Sequence, residues 1–291
     1  MKYLIVAESH LCAQLSEILA EEIKRFDIRH EILFNPSNVT SQLKKSRPDL
    51  LIVIGSSKSI SIVNQAGKRK IKCCFFHQTL LDKQDRRDLP QLSIRKVYTD
   101  IPVKSISTSN IFLLSDVIRK LNGNNYDEVE STEVSIFYSD PGKKRLANNL
   151  LKSILKLNPD INFNVLDISL SLKEAVAAAH RSNASIALDQ FSNVFAAYTN
   201  CPLVNVYQKS LFRKSNNENA VINKLLHKDI ISNISANKTG ILISEIKKVL
   251  HDHQHCAGIM QSYQELKSLI GIQPFARQAA QEIVEWIDED N

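Results

Sequence analysis

Val134-Ser135-Ile136-Phe137-Tyr138-Ser139-Asp140-Pro141-Gly142-Lys143-Lys144-Arg145 joins an apolar run to a helical one. Val134 to Phe137 read as a strand, and Leu146 to Leu155 carry the apolar spacing of a helix. The Pro-Gly turn between them predicts free backbone N–H groups at a helix start, a ready site for an anion. Lys143, Lys144 and Arg145 stand at the same start, where cations oppose the helix dipole. A bound phosphate relieves that conflict. The competing reading is a solvated basic turn.

The same alternation extends both ways. Toward the N-terminus, strands are predicted over residues 2–7, 30–34, 49–55, 71–76 and 95–99, with helices over 11–25, 39–46, 58–68 and 109–121. Toward the C-terminus, strands are predicted over 133–138, 162–167, 184–188 and 202–207. Helices are predicted there over 143–156, 171–181, 191–199 and 215–226, then 239–250, 256–269 and 274–287. Strands that are apolar throughout, separated by helices, predict parallel sheets covered on both faces. Asn122-Gly123-Asn124-Asn125-Tyr126-Asp127-Glu128 is polar and turn-rich, and reads as a linker. The expected fold class is α/β, with two Rossmann-like domains facing a central cleft, over residues 1–122 and 131–273.

The 291 residues suffice for one large domain or two ordinary ones. Hydrophobic residues make up 43% and charged residues 23%, as in ordinary globular proteins. No run approaches the roughly 18 apolar residues of a membrane span. Met1 to Ala7 is too short for a secretory signal and reads as a buried strand. Five scattered cysteines argue against a disulfide framework and for a reducing cytoplasm. The net charge of +6 favours anionic partners. Only seven glycines count against a glycine-rich nucleotide grip. The GxGxxG, G-x-S-x-G, H-E-x-x-H and C-x-x-C patterns are absent, and no cofactor is expected. Without an interleaved aromatic and basic array, nucleic acid is not an expected partner.

In doubly wound sheets ligands sit at the carboxyl ends of the strands. That rule selects Glu8-Ser9-His10, Gly55-Ser56-Ser57-Lys58 and His77-Gln78 in the first half. In the second half it selects Ser139 to Lys144, Asp167-Ile168-Ser169, Asp189-Gln190 and Tyr207-Gln208-Lys209. Gly55 to Lys58 reads as a second phosphate loop or as a capped turn. His10 and His77 are candidate general bases, or polar caps. Asp189, with Gln190 beside it, orients a ligand hydroxyl or caps the helix near Phe191. His251-Asp252-His253-Gln254-His255-Cys256 has the composition of a metal tract, with His251 and His255 on one helix face. It sits between two helices, and the reading preferred is a solvated turn with no metal.

Pro141-Gly142-Lys143-Lys144, Cys201-Pro202-Leu203-Val204-Asn205-Val206-Tyr207, the segment from Asn219-Ala220-Val221-Ile222 to Ile230-Ile231, and Asn237-Lys238-Thr239 share a wider likeness. So does the tail, Tyr263 to Gly271 with Ala276-Arg277-Gln278-Ala279-Ala280. Together they resemble lipid-A-disaccharide synthase, a bacterial glycosyltransferase of the glycosyltransferase-B type, over residues 133–287. Arg47-Pro48-Asp49-Leu50-Leu51-Ile52-Val53-Ile54 is similar to that family's Lys-Pro-Asp strand. Where the family continues with an aspartate-rich segment, this chain has Gly55, Ser56, Ser57, Lys58 and Ser59. The family's Ser-Gly-Thr-x-Thr-Leu-Glu corresponds to Asp189 through Phe195, without its glycine and glutamate.

The resemblance implies hexosyl transfer from a UDP-sugar donor to a lipid-linked or membrane-proximal acceptor. Gly142, Lys143, Lys144 and Arg145 would hold the diphosphate, with Asp189 and Gln190 nearby, and His10 or His77 would act as base. It implies a helix over residues 274–291 that crosses back onto the first domain. It also implies a cytoplasmic protein, with an anionic inner-membrane surface as an option. The missing carboxylates open a second reading, a catalytically silent relative that binds or scaffolds. A third is a two-lobed periplasmic-type ligand-binding protein, which also suits Arg47-Pro48-Asp49 and the opening of the second half.

Overall fold

The computed structural model describes residues 2–26, 31–34, 39–55, 59–69, 71–77, 109–122, 133–159, 161–208, 219–270 and 275–288. The strand predicted over 95–99, the loop Ser56-Ser57-Lys58, Gln78, Lys209 and most of the polar linker lie outside them. The chain divides into two compact units. One comprises Met1–Val117 with Gln273–Asn291, the other Ile118–Ile272.

The first unit begins with β1 (Lys2–Ala7), α1 (His10–Phe26), β2 (Glu31–Phe34), α2 (Val39–Lys45) and β3 (Leu50–Gly55). It continues through α3 (Ile60–Lys68) and β4 (Lys72–His77) to α4 (Ser109–Asn122), which runs across the division between the units. The four strands are parallel in the order β2-β1-β3-β4. Every residue of β3 is buried, as its uninterrupted apolar run predicts. Alternate residues Leu4, Val6, Leu51, Val53, Cys73 and Phe75 form one face, and Leu43, Val63 and Ala66 pack against it. Each large side chain removed from water there contributes about 1.5–3 kcal/mol.

The final helix of the chain, Phe275–Asp288, belongs to this unit and packs along α1. Leu11, Leu15, Leu19 and Ile23 of α1 are fully buried, as are Ala279, Ala280 and Ile283 of the final helix. The alanines let the two backbones approach closely. At its start, the Ala276 N–H donates to Asp116 Oδ2 of α4 at 2.7 Å. A buried carboxylate from 160 residues earlier therefore satisfies one of the donors that a helix N-terminus leaves open.

The second unit runs from β5 (Glu133–Tyr138) through a 3₁₀ turn (Pro141–Lys143) to α5 (Lys144–Leu157). Then come β6 (Asn162–Asp167), α6 (Leu172–Arg181), β7 (Ala184–Ala187), α7 (Gln190–Tyr198) and β8 (Leu203–Tyr207). It closes with α8 (Val221–Leu226), β9 (Asn233–Ser235), α9 (Thr239–His251) and α10 (His253–Ile270), so that the final helix is α11. Its strands are parallel in the order β6-β5-β7-β8-β9. Inner β7 is wholly buried, whereas in edge strand β6 Asn162 and Asn164 are exposed and the other four residues half-buried.

Three local features depart from expectation. The strand β9 has a single apolar residue and gave no periodic signal. Of the helix predicted over 215–226, residues 215–218 lie outside the described ones, Asn219 and Ala220 are not helical, and the helix runs over Val221–Leu226. The predicted turn at His251 to Cys256 shrinks to one residue, Asp252. Its Oδ1 accepts from the His255 N–H at 2.9 Å and caps α10. His251 and His255 thus lie on different helices rather than on one face. Among the described residues no group of His, Cys, Asp and Glu side chains could hold a metal ion. No described helix is long and apolar enough to cross a membrane.

Candidate functional site

Both sheets reverse direction beside their first strand. In such sheets ligands gather at that switch point, outside the carboxyl ends of the strands. In the second unit it lies between β5 and β7. The loop after β5 begins at Ser139, and the loop after β7 carries Asp189.

Asp189 is 7% exposed and reaches across the switch point. Its Oδ2 accepts from the Ser139 N–H at 2.6 Å and the Asp140 N–H at 3.2 Å. Its Oδ1 accepts from the Ser139 hydroxyl at 3.1 Å and the Ser192 N–H at 2.8 Å. The Asp189 N–H in turn donates to Ser192 Oγ at 3.1 Å, which completes a capping box on α7. Of the two roles foreseen for Asp189, the cap is present. A clasp on the neighbouring loop is added to it.

Asp140 organises the rest of that loop. Its Oδ1 accepts from the Gly142 N–H at 2.9 Å, and its carbonyl accepts from the Lys143 N–H at 2.8 Å. Pro141 occupies the first position of the 3₁₀ turn, where no N–H is needed. A Cβ on Gly142 would stand 3.2 Å from Asp140 Oδ1, tight against the capping carboxylate. Free N–H groups were expected here. Instead those of Ser139, Asp140 and Gly142 all donate to the chain's own carboxylates. Two aspartates also offset the cations against the α5 dipole.

The basic side chains remain available. Lys144 and Arg145 are exposed and Lys143 is half-buried. Among the described residues none of the three forms an ion pair. Beside them, burial and secondarily the Asp167 carboxylate push the Tyr138 phenol up. Asp167 folds its own loop, accepting from the Ser169 N–H at 2.9 Å. Gln190 opens α7 directly after the clasp.

The first unit closes its switch point from the other side. The Ser59 hydroxyl donates to Glu8 Oε2 at 2.7 Å, linking the loops after β1 and β3. The Glu8 N–H donates to the Ile54 carbonyl at 3.0 Å. Gly55 is required between them: a Cβ there would lie 2.4 Å from Ser59 Oγ and 2.6 Å from Glu8 Oε2. His10 is the first residue of α1, and His77 the last of β4, in register with Gly55. Their backbones thus stand past the end of β1 and at the end of β4 in one sheet, with β3 between.

From Asp189 a run of buried and half-buried amides extends to β8 and β9, which no motif signalled. Asn193 Nδ2 donates to the Asp189 carbonyl at 2.8 Å and to Asn205 Oδ1 at 2.9 Å. Asn205 Nδ2 donates to Asn233 Oδ1 at 2.9 Å, and Asn233 Nδ2 to Asn219 Oδ1 at 3.0 Å. Asn223 then holds Ile230 and Ile231 through their N–H groups at 3.1 and 2.9 Å. The ladder replaces apolar packing between β8, β9 and α8 with directional bonds.

Neither a protein-family model nor a curated protein matches the chain. Solved structures do. S. aureus MnaA, solved with UDP, has a TM-score of 0.67 at 10% identity, over 99% of this chain and 97% of that one. UDP-GlcNAc 2-epimerase from Neisseria meningitidis, bound to UDP-GlcNAc, has 0.62 at 11% identity, over 98% of this chain and 100% of that one. MurG of Acinetobacter baumannii has 0.57 at 10% identity, over 99% of each. Likeness at such identities speaks for the fold, which is the glycosyltransferase-B type built from two Rossmann-like parallel α/β units.

Proposed function

We infer that this protein binds a UDP-sugar at the loop joining β5 to α5. The observation that carries the reading is the set of cations Lys143, Lys144 and Arg145, without ion pairs among the described residues, at the switch point of the second sheet. Support comes from the fold, since structures that share it were solved with UDP and with UDP-GlcNAc. Here the diphosphate lies on the three side chains, because the loop's Ser139, Asp140 and Gly142 N–H groups are engaged. The reaction matching this site is hexosyl transfer to a lipid-linked or membrane-proximal acceptor, as in lipid-A-disaccharide synthase, with His10 or His77 as base. The relation to that family rests on the Pro141-Gly142 turn and the tail motif.

A second reading, donor binding without turnover, draws on two observations. The positions of the family's aspartate-rich segment hold Gly55 and Ser59. The Asp189 and Asp140 carboxylates already occupy the loop donors that a phosphate would use.

Calorimetry with UDP and UDP-GlcNAc tests binding, and release of UDP from the sugar nucleotide tests turnover. Saturable binding weakened roughly 10-fold by Lys144→Ala supports the donor site. Heatless titration at millimolar UDP removes it. Binding without UDP release selects the second reading.

A further inference from the structure

A separate opening lies where β8 and β9 end. A pocket of about 170 Å³ is lined there by Tyr207, Asn233, Ser235, Asn237, Lys238 and Ile241, among others. The sequence marked Tyr207, the Asn237-Lys238-Thr239 stretch and the helix after it, but not Asn233 or Ser235, because β9 gave no strand signal.

Asn233 and Ser235 stand two apart on β9 and share one face. They differ in what they have to offer. The Asn233 amide is fully engaged: Oδ1 accepts from Asn205 Nδ2 at 2.9 Å and the Ala220 N–H at 2.6 Å, and Nδ2 donates to Asn219 and Ile231. It forms a fixed wall. Ser235 is 6% exposed, and among the described residues its hydroxyl has no hydrogen-bond partner. The hydroxyl oxygen is not sealed off from solvent, so it is open to a group that enters the pocket.

The floor of the pocket adds positive potential. Helix α9 begins here with Lys238 at the N-cap, no side-chain cap and no acidic residue in its first turn. Its first main-chain bond is from the Leu242 N–H to the Lys238 carbonyl at 3.0 Å. The N–H groups of Thr239, Gly240 and Ile241 are left without partners among the described residues. Nothing lies within 4 Å of where a Gly240 Cβ would stand, so the first turn faces open space. The Lys238 ammonium forms no ion pair among the described residues. The walls are partly apolar: Tyr207 is half-buried and Ile241 is 54% exposed.

We propose that this pocket binds a phosphate monoester. The phosphate sits on the Lys238 ammonium, the Ser235 hydroxyl and the first-turn N–H groups of α9. The organic part lies against Tyr207 and Ile241. The volume, several times the ~30 Å³ share of one water, admits a phosphate with a small organic group. The site is distinct from the donor loop, where the corresponding backbone donors are engaged by Asp140 and Asp189.

The test is calorimetry on the full chain with glycerol 3-phosphate, inorganic phosphate and acetate, with thermal melts confirming that each variant folds. Expected is saturable binding of the ester, tighter than of phosphate and with acetate inert. Lys238→Glu weakens it roughly 10-fold and Ser235→Ala severalfold, while Lys144→Ala leaves it unchanged. In amide NMR of the unaltered chain, Gly240 and Ile241 shift on addition of the ester. Four results overturn the proposal: no saturable binding, equal binding of acetate, no shift at Gly240 and Ile241, or binding that is lost in Lys144→Ala and kept in Lys238→Glu.

Discussion

The Asp189 carboxylate receives the Ser139 backbone N–H at 2.6 Å and so ties the end of β7 to the loop that follows β5. A group fifty residues away thereby fills the place an anion would take at a strand-to-helix turn. The basic turn is held in shape whether or not a ligand is bound.

Asp189→Ala removes the acceptor for the N–H groups of Ser139, Asp140 and Ser192. With the lost cap and the stranded donors, the expected loss of stability is about 2–4 kcal/mol. Asp189→Asn retains one acceptor oxygen and loses less. Urea unfolding of the three proteins measures this, and coincident midpoints would show that the clasp contributes nothing.

Gly55→Ala forces a methyl group to 2.4 Å from Ser59 Oγ and 2.6 Å from Glu8 Oε2. The Ser59 to Glu8 bond must open or the β3 end must shift, at a cost of about 1–3 kcal/mol. Pairing Gly55→Ala with Ser59→Gly relieves the nearer clash, so the double variant recovers part of the loss. A double variant no more stable than Gly55→Ala contradicts this packing.

Lys267 gives a pH dependence. Burial, and then the nearby Arg119, lower it from 10.5 to about 8, although Nζ donates to Asn200 Oδ1 at 2.5 Å and stands 6.0 Å from the Tyr198 ring centre. Below pH 8 folded and unfolded chains both carry the charge, and its effect is constant. Between about 8 and 10.5 only the unfolded chain holds the proton, so stability rises with pH. Wild type should gain on Lys267→Met across that window in urea midpoints. A pH-independent difference argues against a depressed lysine.

The thiols separate by burial. Cys12, Cys73, Cys74 and Cys201 are buried and Cys256 is half-buried, and none of the five is in a disulfide. Burial pushes Cys201 up to about 12 and also raises Cys256, so even the accessible thiol reacts slowly. A thiol reagent at pH 8 should modify Cys256 first in the native protein and reach all five cysteines only in denaturant. Early modification of Cys201 in the native protein would contradict its place in the core.

What could be read from the chain follows from the range of the forces involved. A strand such as Leu50–Gly55 announces itself because burial on both faces demands an unbroken apolar run. Asn233–Ser235 does not, since its place in the sheet is secured by amide bonds to Asn205 and Asn219. The basic turn after β5 was legible as a turn. The fate of its N–H groups was not, because Asp189 meets them only once β7 lies beside β5. The pocket at Ser235 and Lys238 was not legible because it depends on β9, which has no sequence signature, although the helix that closes it was predicted.

The seating of α11 against α1, with Asp116 holding its first turn, has a consequence for how the chain is made. The unit formed by Ile118–Ile272 is continuous and can close as it leaves the ribosome. The unit built from two separate stretches of chain cannot. Leu15, Leu19 and Ile23 wait for Ala279, Ala280 and Ile283, so α1 is covered only after the whole of the other unit has been made.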